Sequence, residues 1–152
     1  MADPLGFLKH AREDPPVRST EDCVRDYHET HLSLFTAKLE RQAERCLECG
    51  VPFCELCGCP AGNRIQDWVS LMYGGKWRAA LDILHSTNNF PEITGRLCAA
   101  PCERVCILSI NFSPVIVREI EREIADRGWH EGWIVPVPPA VATGRRIALI
   151  GS

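Results

Sequence analysis

A chain of 152 residues, 45% hydrophobic and 24% charged, is sized for one domain with a modest core. Its formal charge of −3 leaves no basic excess to neutralise phosphates, so nucleic acid is not an expected partner. No apolar run approaches the roughly 20 residues of a membrane span, and MADPLGFLKHARED lacks the apolar stretch of a secretory signal; no membrane partner is expected, and the chain is expected to stay in the cytoplasm.

Residues 1–19, with Pro4, Pro15 and Pro16, read as an extended arm. From Ser19 to Arg45 the pattern turns helical in two pieces. The first piece carries Val24, Tyr27 and His31 on one face; Thr36 is the expected cap of the second, with Leu39 and Ala43 on its buried side. A thiol-rich stretch, RCLECGVPFCELCGCPAGN, follows.

Beyond it, Asn63 and Gln66 match a capping box. Ile65, Trp68, Val69 and Met72 recur at i, i+3, i+4 and i+7, predicting an amphipathic helix that Gly74-Gly75 stops. Trp77, Ala80, Leu81 and Leu84 repeat the pattern in a second helix ending near Asn88-Asn89. A third helix is expected from Ser113 as N-cap and Pro114 at its first position, along Ile116, Ile120 and Ile124, to Gly128. These stripes read as core, with no cofactor role for Trp68, Trp77 or Met72. Residues 20–131 thus form the expected helical domain. Residues 132–144, with Pro136, Pro138 and Pro139, read as a stiff linker. Residues 145–152, RRIALIGS, read as the first strand of a truncated FAD/NAD(P)-binding domain.

Eight of the 9 cysteines fall in two groups, C46-x2-C49-x4-C54-x2-C57-x-C59-Pro60 and C98-x3-C102-x3-C106. Cys23 stands apart and reads as an ordinary thiol. Three chemistries compete for the rest. Disulfides are disfavoured by a reducing compartment and an odd count. A structural zinc ion wants two C-x2-C pairs, which Cys46/Cys49 and Cys54/Cys57 supply. The Cys98 group, with three-residue gaps and Pro101 inside it, suits zinc less well. Iron–sulfur clusters fit better, because a 4Fe–4S cube takes a tight run of ligands plus one distant residue. Cys59-Pro60 repeats the Cys-Pro ending of bacterial ferredoxin sites, where that cysteine serves the other cluster. Two groups that exchange one ligand each would hold two clusters close together.

The strings DPLGFLKHAR, ERCLECGVPFC, GCPAGN, LHSTNNFPEITGRLCAAPCERVC and EGWIVPVPPAVATGRRIALIGS cover nearly the whole chain. In these strings the chain resembles the N-terminal iron–sulfur domain of the small (β) subunits of NADPH-dependent glutamate synthases. The same helical domain occurs in dihydropyrimidine dehydrogenase and in ferredoxin–NADP transhydrogenase subunits. The resemblance implies an all-α, α-helical ferredoxin-like fold binding two 4Fe–4S clusters, with an extended N-terminal arm and the first strand of a following nucleotide-binding domain.

Carried over residue by residue, the resemblance implies Cys46, Cys49, Cys54 and Cys106 for one cluster. It implies Cys59, Cys98, Cys102 and a non-cysteine ligand, Glu121, for the other. Read from the residues alone, Glu121 in REIERE looks like a solvated surface charge, although Val117, Glu121 and Ile124 share one side of a helix. The chain departs from the family at one place. The family spaces C-x3-C-Pro, whereas four residues separate Cys54 from Cys59 here, and Cys57 is additional. Either Cys59 ligates across a bulge or Cys57 replaces it; the intact Gly58-Cys59-Pro60 favours Cys59.

The function so implied is an electron-transfer module of an oxidoreductase. FAD and NADPH are expected in downstream domains, and the large (α) subunit is the expected partner. No residue is nominated as catalytic acid, base or nucleophile. Rival readings are a zinc-stabilised subunit-docking module and the relay domain of another NAD(P)H-dependent flavin/iron–sulfur oxidoreductase.

Overall fold

The computed structural model describes residues 3–141, 143–148 and 150. Its helices are α1 (Gly6–Lys9), α2 (Thr20–Cys23), α3 (Thr36–Glu44), α4 (Ile65–Tyr73), α5 (Trp77–His85), α6 (Pro91–Leu97), α7 (Pro101–Arg104) and α8 (Val117–His130). A π-helical turn spans Cys54–Gly58 and a 3-10 turn spans Ile107–Ile110. Among the described residues there is no strand, only a single antiparallel bridge between Val17 and His31. The fold is all-α, as expected.

The core follows the predicted stripes. Helix α4 buries Ile65, Trp68, Val69 and Met72; α5 buries Trp77, Ala80, Leu81 and Leu84. Ile120 and Ile124 of α8 complete it at 0% exposure, where each aliphatic side chain contributes about 1.5–3 kcal/mol. Gly75, at φ +72°, makes the turn between α4 and α5. Helix α8 passes its predicted stop. A Cβ on Gly128 would lie 2.6 Å from Leu81 Cδ2, so this glycine serves close packing on α5. The helix ends instead in a Schellman motif at Gly132, whose φ is +68°, with Trp133 N–H donating to Gly128 O at 2.9 Å.

Other boundaries shift for local reasons. The capping box does not form: Arg64 occupies the N-cap of α4, and Asn63 accepts a hydrogen bond from Thr87 Oγ1 at 2.6 Å. The Gln66 N–H is capped by Glu55 at 2.7 Å, from the thiol-rich stretch. Helix α8 starts at Val117 and not at Ser113-Pro114, whose carbonyls accept from the Arg45 guanidinium at 2.6 and 2.9 Å. Its Arg118 N–H is capped by Glu103 at 3.0 Å.

The first helical piece expected after Ser19 is a single turn, capped by Ser19. Val24 and Tyr27 share no buried face, being 78% and 108% exposed. Polar contacts hold this segment instead: Arg18 pairs with Asp26 at 2.6 Å, and Arg122 donates to the His31 and Leu32 carbonyls. Phe35, not Thr36, is the N-cap of α3, while Leu39 and Ala43 are buried as expected.

Of the expected arm 1–19, the described residues 3–19 contain one helical turn and are fastened to the domain through His10–Glu44, Ala11–Gln42 and Arg12–Glu103. Helices α6 and α7 were not anticipated, although Pro91 and Pro101 stand at their first turns. Residues 133–139 carry no helix or strand. Of the expected strand 145–152, residues 145–148 and 150 show none, and 149, 151 and 152 lie outside the described residues. Among the described residues no helix is long and apolar enough to cross a membrane.

Candidate iron–sulfur centres

Cys46 follows directly on the C-cap of α3, with its N–H bonded to Ala43 O at 2.9 Å. The backbone then turns through Glu48, at φ +44°, to reach Cys49. Cys54 opens the π-helical turn, a device often found at functional sites. Cys106 arrives from the far end of the chain, between α7 and the 3-10 turn.

These four cysteines line one cavity, walled by Ile65 and Val69 of α4, Leu108 of the 3-10 turn, and Val115 and Val117 at the start of α8. Burial pushes the Cys46 and Cys54 thiols up to about 12, and raises Cys49 as well. Cys49 and Cys106 add to the effect on Cys46, and Cys46, Cys49 and Cys106 to that on Cys54, so the four sulfurs share one electrostatic neighbourhood. Gln66 Nε2 donates to Cys49 Sγ at 3.1 Å and to Cys49 O at 3.0 Å. The capping-box spacing of Gln66 gives no sign of this role.

The second set is assembled by two close backbone contacts. A Cβ on Gly58 would lie 2.7 Å from Cys102 Cα, so the glycine lets the π-helical turn bring Cys59 against α7. A Cβ on Gly95 would lie 2.8 Å from the Arg122 backbone, so α6 settles directly on α8 and carries Cys98 towards Glu121. Cys102 is buried, and burial pushes its thiol up to about 12; Glu103, Cys59, Cys98 and Glu121 all act on it in the same direction. Ala100, in the left-handed region at φ +50°, donates its N–H to Cys98 Sγ at 3.3 Å.

Glu121 is not the solvated charge that REIERE suggests. It is 7% exposed and accepts from Asn88 Nδ2 at 3.0 Å and from Thr94 Oγ1. Burial raises its carboxyl above the usual range, opposed by those two hydrogen bonds. Asn88 and Thr94 lie in TNNFPEITGRLC, a string that carried the resemblance, but periodicity did not single them out.

Cys57 joins neither set. Its thiol is exposed and donates to Phe53 O at 3.4 Å. Among the described residues no three His, Cys, Asp or Glu side chains surround one point closely enough to hold a single metal ion. A zinc site would draw four ligands to about 2.0–2.3 Å from one ion. Thiols spread over the wall of a cavity, with N–H groups aimed at sulfur, suit a group larger than one ion, and soft thiolates are the ligands that iron–sulfur clusters take. The donor sets fit such a group.

A family model for dihydropyrimidine dehydrogenase domain II, 4Fe-4S cluster, matches residues 23–133. The chain belongs to this family. Its relatives narrow the class further. It is 48% identical to the glutamate synthase [NADPH] small chain of Mycobacterium tuberculosis, over 100% of this chain and 31% of the relative. It is 41% identical to the small chain of Bacillus subtilis, over 100% of this chain and 32% of the relative. It is 47% identical to glutamate synthase [NADH] of Schizosaccharomyces pombe, over 97% of this chain and 7% of the relative. The chain therefore spans about a third of the length of the bacterial relatives it matches.

Proposed function

We propose that this chain is the electron-transfer module of a glutamate synthase small subunit. In this reading it holds two 4Fe–4S clusters between an NADPH-reduced FAD, bound in downstream domains, and the large subunit, where glutamate is formed. Cys46, Cys49, Cys54 and Cys106 hold the first cluster; Cys59, Cys98, Cys102 and Glu121 hold the second. The bound clusters would supply one-electron carriage, which no side chain of the protein can provide. The chain works in the cytoplasm, where thiols stay reduced and free to ligate.

The observation that carries the reading is the meeting of separate stretches of chain: Cys46, Cys49 and Cys54 line one cavity with Cys106, and Cys59, Cys98 and Glu121 act on Cys102. The first set places thiols on a predominantly apolar wall. The second sets a carboxylate beside thiols and orients it through Asn88 and Thr94. Gln66 and Ala100 direct N–H groups at the Cys49 and Cys98 sulfurs.

The test is the metal content of anaerobically purified or reconstituted protein. It should be brown, with about eight irons and eight sulfides per chain for two 4Fe–4S clusters. A colourless protein with stoichiometric zinc would replace the relay with a zinc-stabilised docking module. Four irons would reduce the reading to one cluster.

A further inference from the structure

Arg45 is a charged side chain inside the protein, 2% exposed, and stands immediately before Cys46. Its two terminal nitrogens donate to Pro114 O at 2.9 Å and Ser113 O at 2.6 Å, while its Nε has no hydrogen-bond partner. Neutral carbonyls solvate a guanidinium without cancelling its charge. Burial works against its charge and Arg12 adds to that, while the Cys106 sulfur and Asp14 act in the opposite direction. Asp14 is itself held by Arg12 at 2.7 Å. The other buried arginine, Arg122, is different: it pairs with Glu119 and, at 3.0 Å, with Glu123. Next to Cys46, then, lies a buried positive charge held by the two carbonyls that precede Val115, a wall residue of the first donor set's cavity.

Building on the two-cluster reading, we propose that Arg45 is a positioning residue that raises the reduction potential of the cluster held by Cys46, Cys49, Cys54 and Cys106. Reduction adds one electron from a one-electron donor, with no bond made or broken, and leaves the site one unit more negative. A fixed cation in a poorly solvated place favours that more negative state. Arginine stays charged at any physiological pH, so the bias is permanent. It biases an electron shared between the two towards the first site.

The experiment is a potentiometric titration of the reconstituted chain, followed by EPR, in wild type, Arg45→Gln, Arg45→Met and Arg45→Lys. Gln keeps a donor for the Ser113 and Pro114 carbonyls and removes the charge; Lys keeps the charge. In both neutral variants the reduced-to-oxidised ratio of the first cluster at fixed potential should fall by on the order of tenfold, about 59 mV for one electron. The second cluster should not shift, and the lysine variant should stay near wild type. Unshifted potentials at full iron content, an equal shift of both clusters, or a lysine variant shifted as far as methionine would overturn the proposal. So would loss of the first cluster's iron from both neutral variants, which would make Arg45 a structural anchor. Iron-free wild-type protein would instead reject the two-cluster reading itself.

Discussion

The two donor sets draw on the same stretches of chain yet sit in opposite surroundings. The first is walled by apolar side chains from α4, the 3-10 turn and the start of α8, with Gln66 the hydrogen-bond donor to one of its sulfurs. The second lies where α6 meets α8, and a hydrogen-bonded network of Asn88, Thr94 and Glu121 lies beside its thiols. The contrast teaches that ligand spacing settles which residues meet, while the elements behind them settle what the meeting place is like. Two sites with different surroundings have a physical basis for different potentials.

Breaking one site while sparing the other sharpens the contrast. The largest effect is expected from Gly95→Leu, which forces side-chain atoms into the Arg122 backbone and pries α6 from α8. It should destabilise the fold by on the order of 3 kcal/mol, lose the second cluster's iron and keep the first's; retention of both clusters would show that this approach is dispensable. Glu121→Ala leaves Asn88 and Thr94 short of a buried acceptor and should cost about 1–3 kcal/mol. Its EPR spectrum should show the second signal altered or gone and the first intact, and two unchanged signals would remove Glu121 as a ligand. Gln66→Leu deprives Cys49 of two hydrogen bonds and should cost about 1 kcal/mol, perturbing only the first signal. The smallest effect belongs to Cys57→Ser, within about 0.5 kcal/mol and with full iron content, whereas Cys59→Ser should lose the second cluster. The reverse iron counts would hand the ligand role to Cys57.

Sequence alone foretold the interior well and the edges poorly. Helices α4 and α5 were legible because their apolar periodicity is their packing; eight predicted core residues lie buried on them. Polar side chains misled wherever tertiary partners claimed them. Asn63 bonds to Thr87 and Gln66 to Cys49, so neither was left to cap α4. Gly128 was read as a stop, but Leu81 packs where its side chain would be. The segment after Ser19 looked amphipathic, yet no element of the described residues lies opposite Val24 and Tyr27 to bury them. In the sites, the resemblance supplied the residue sets, and spacing alone left zinc open. Nothing in the composition of REIERE announces that its middle acid is buried while Glu123, two positions on, pairs with Arg122.

The order of the proposed ligands along the chain carries a consequence for how such a domain can be inherited. A break anywhere between Cys59 and Cys98 would leave three donors of one site and one of the other on the first piece, and the complementary three and one on the second. Neither half is a unit that could be duplicated, traded or lost by itself. On that assignment, any cut between the two cysteine groups severs both sites at once.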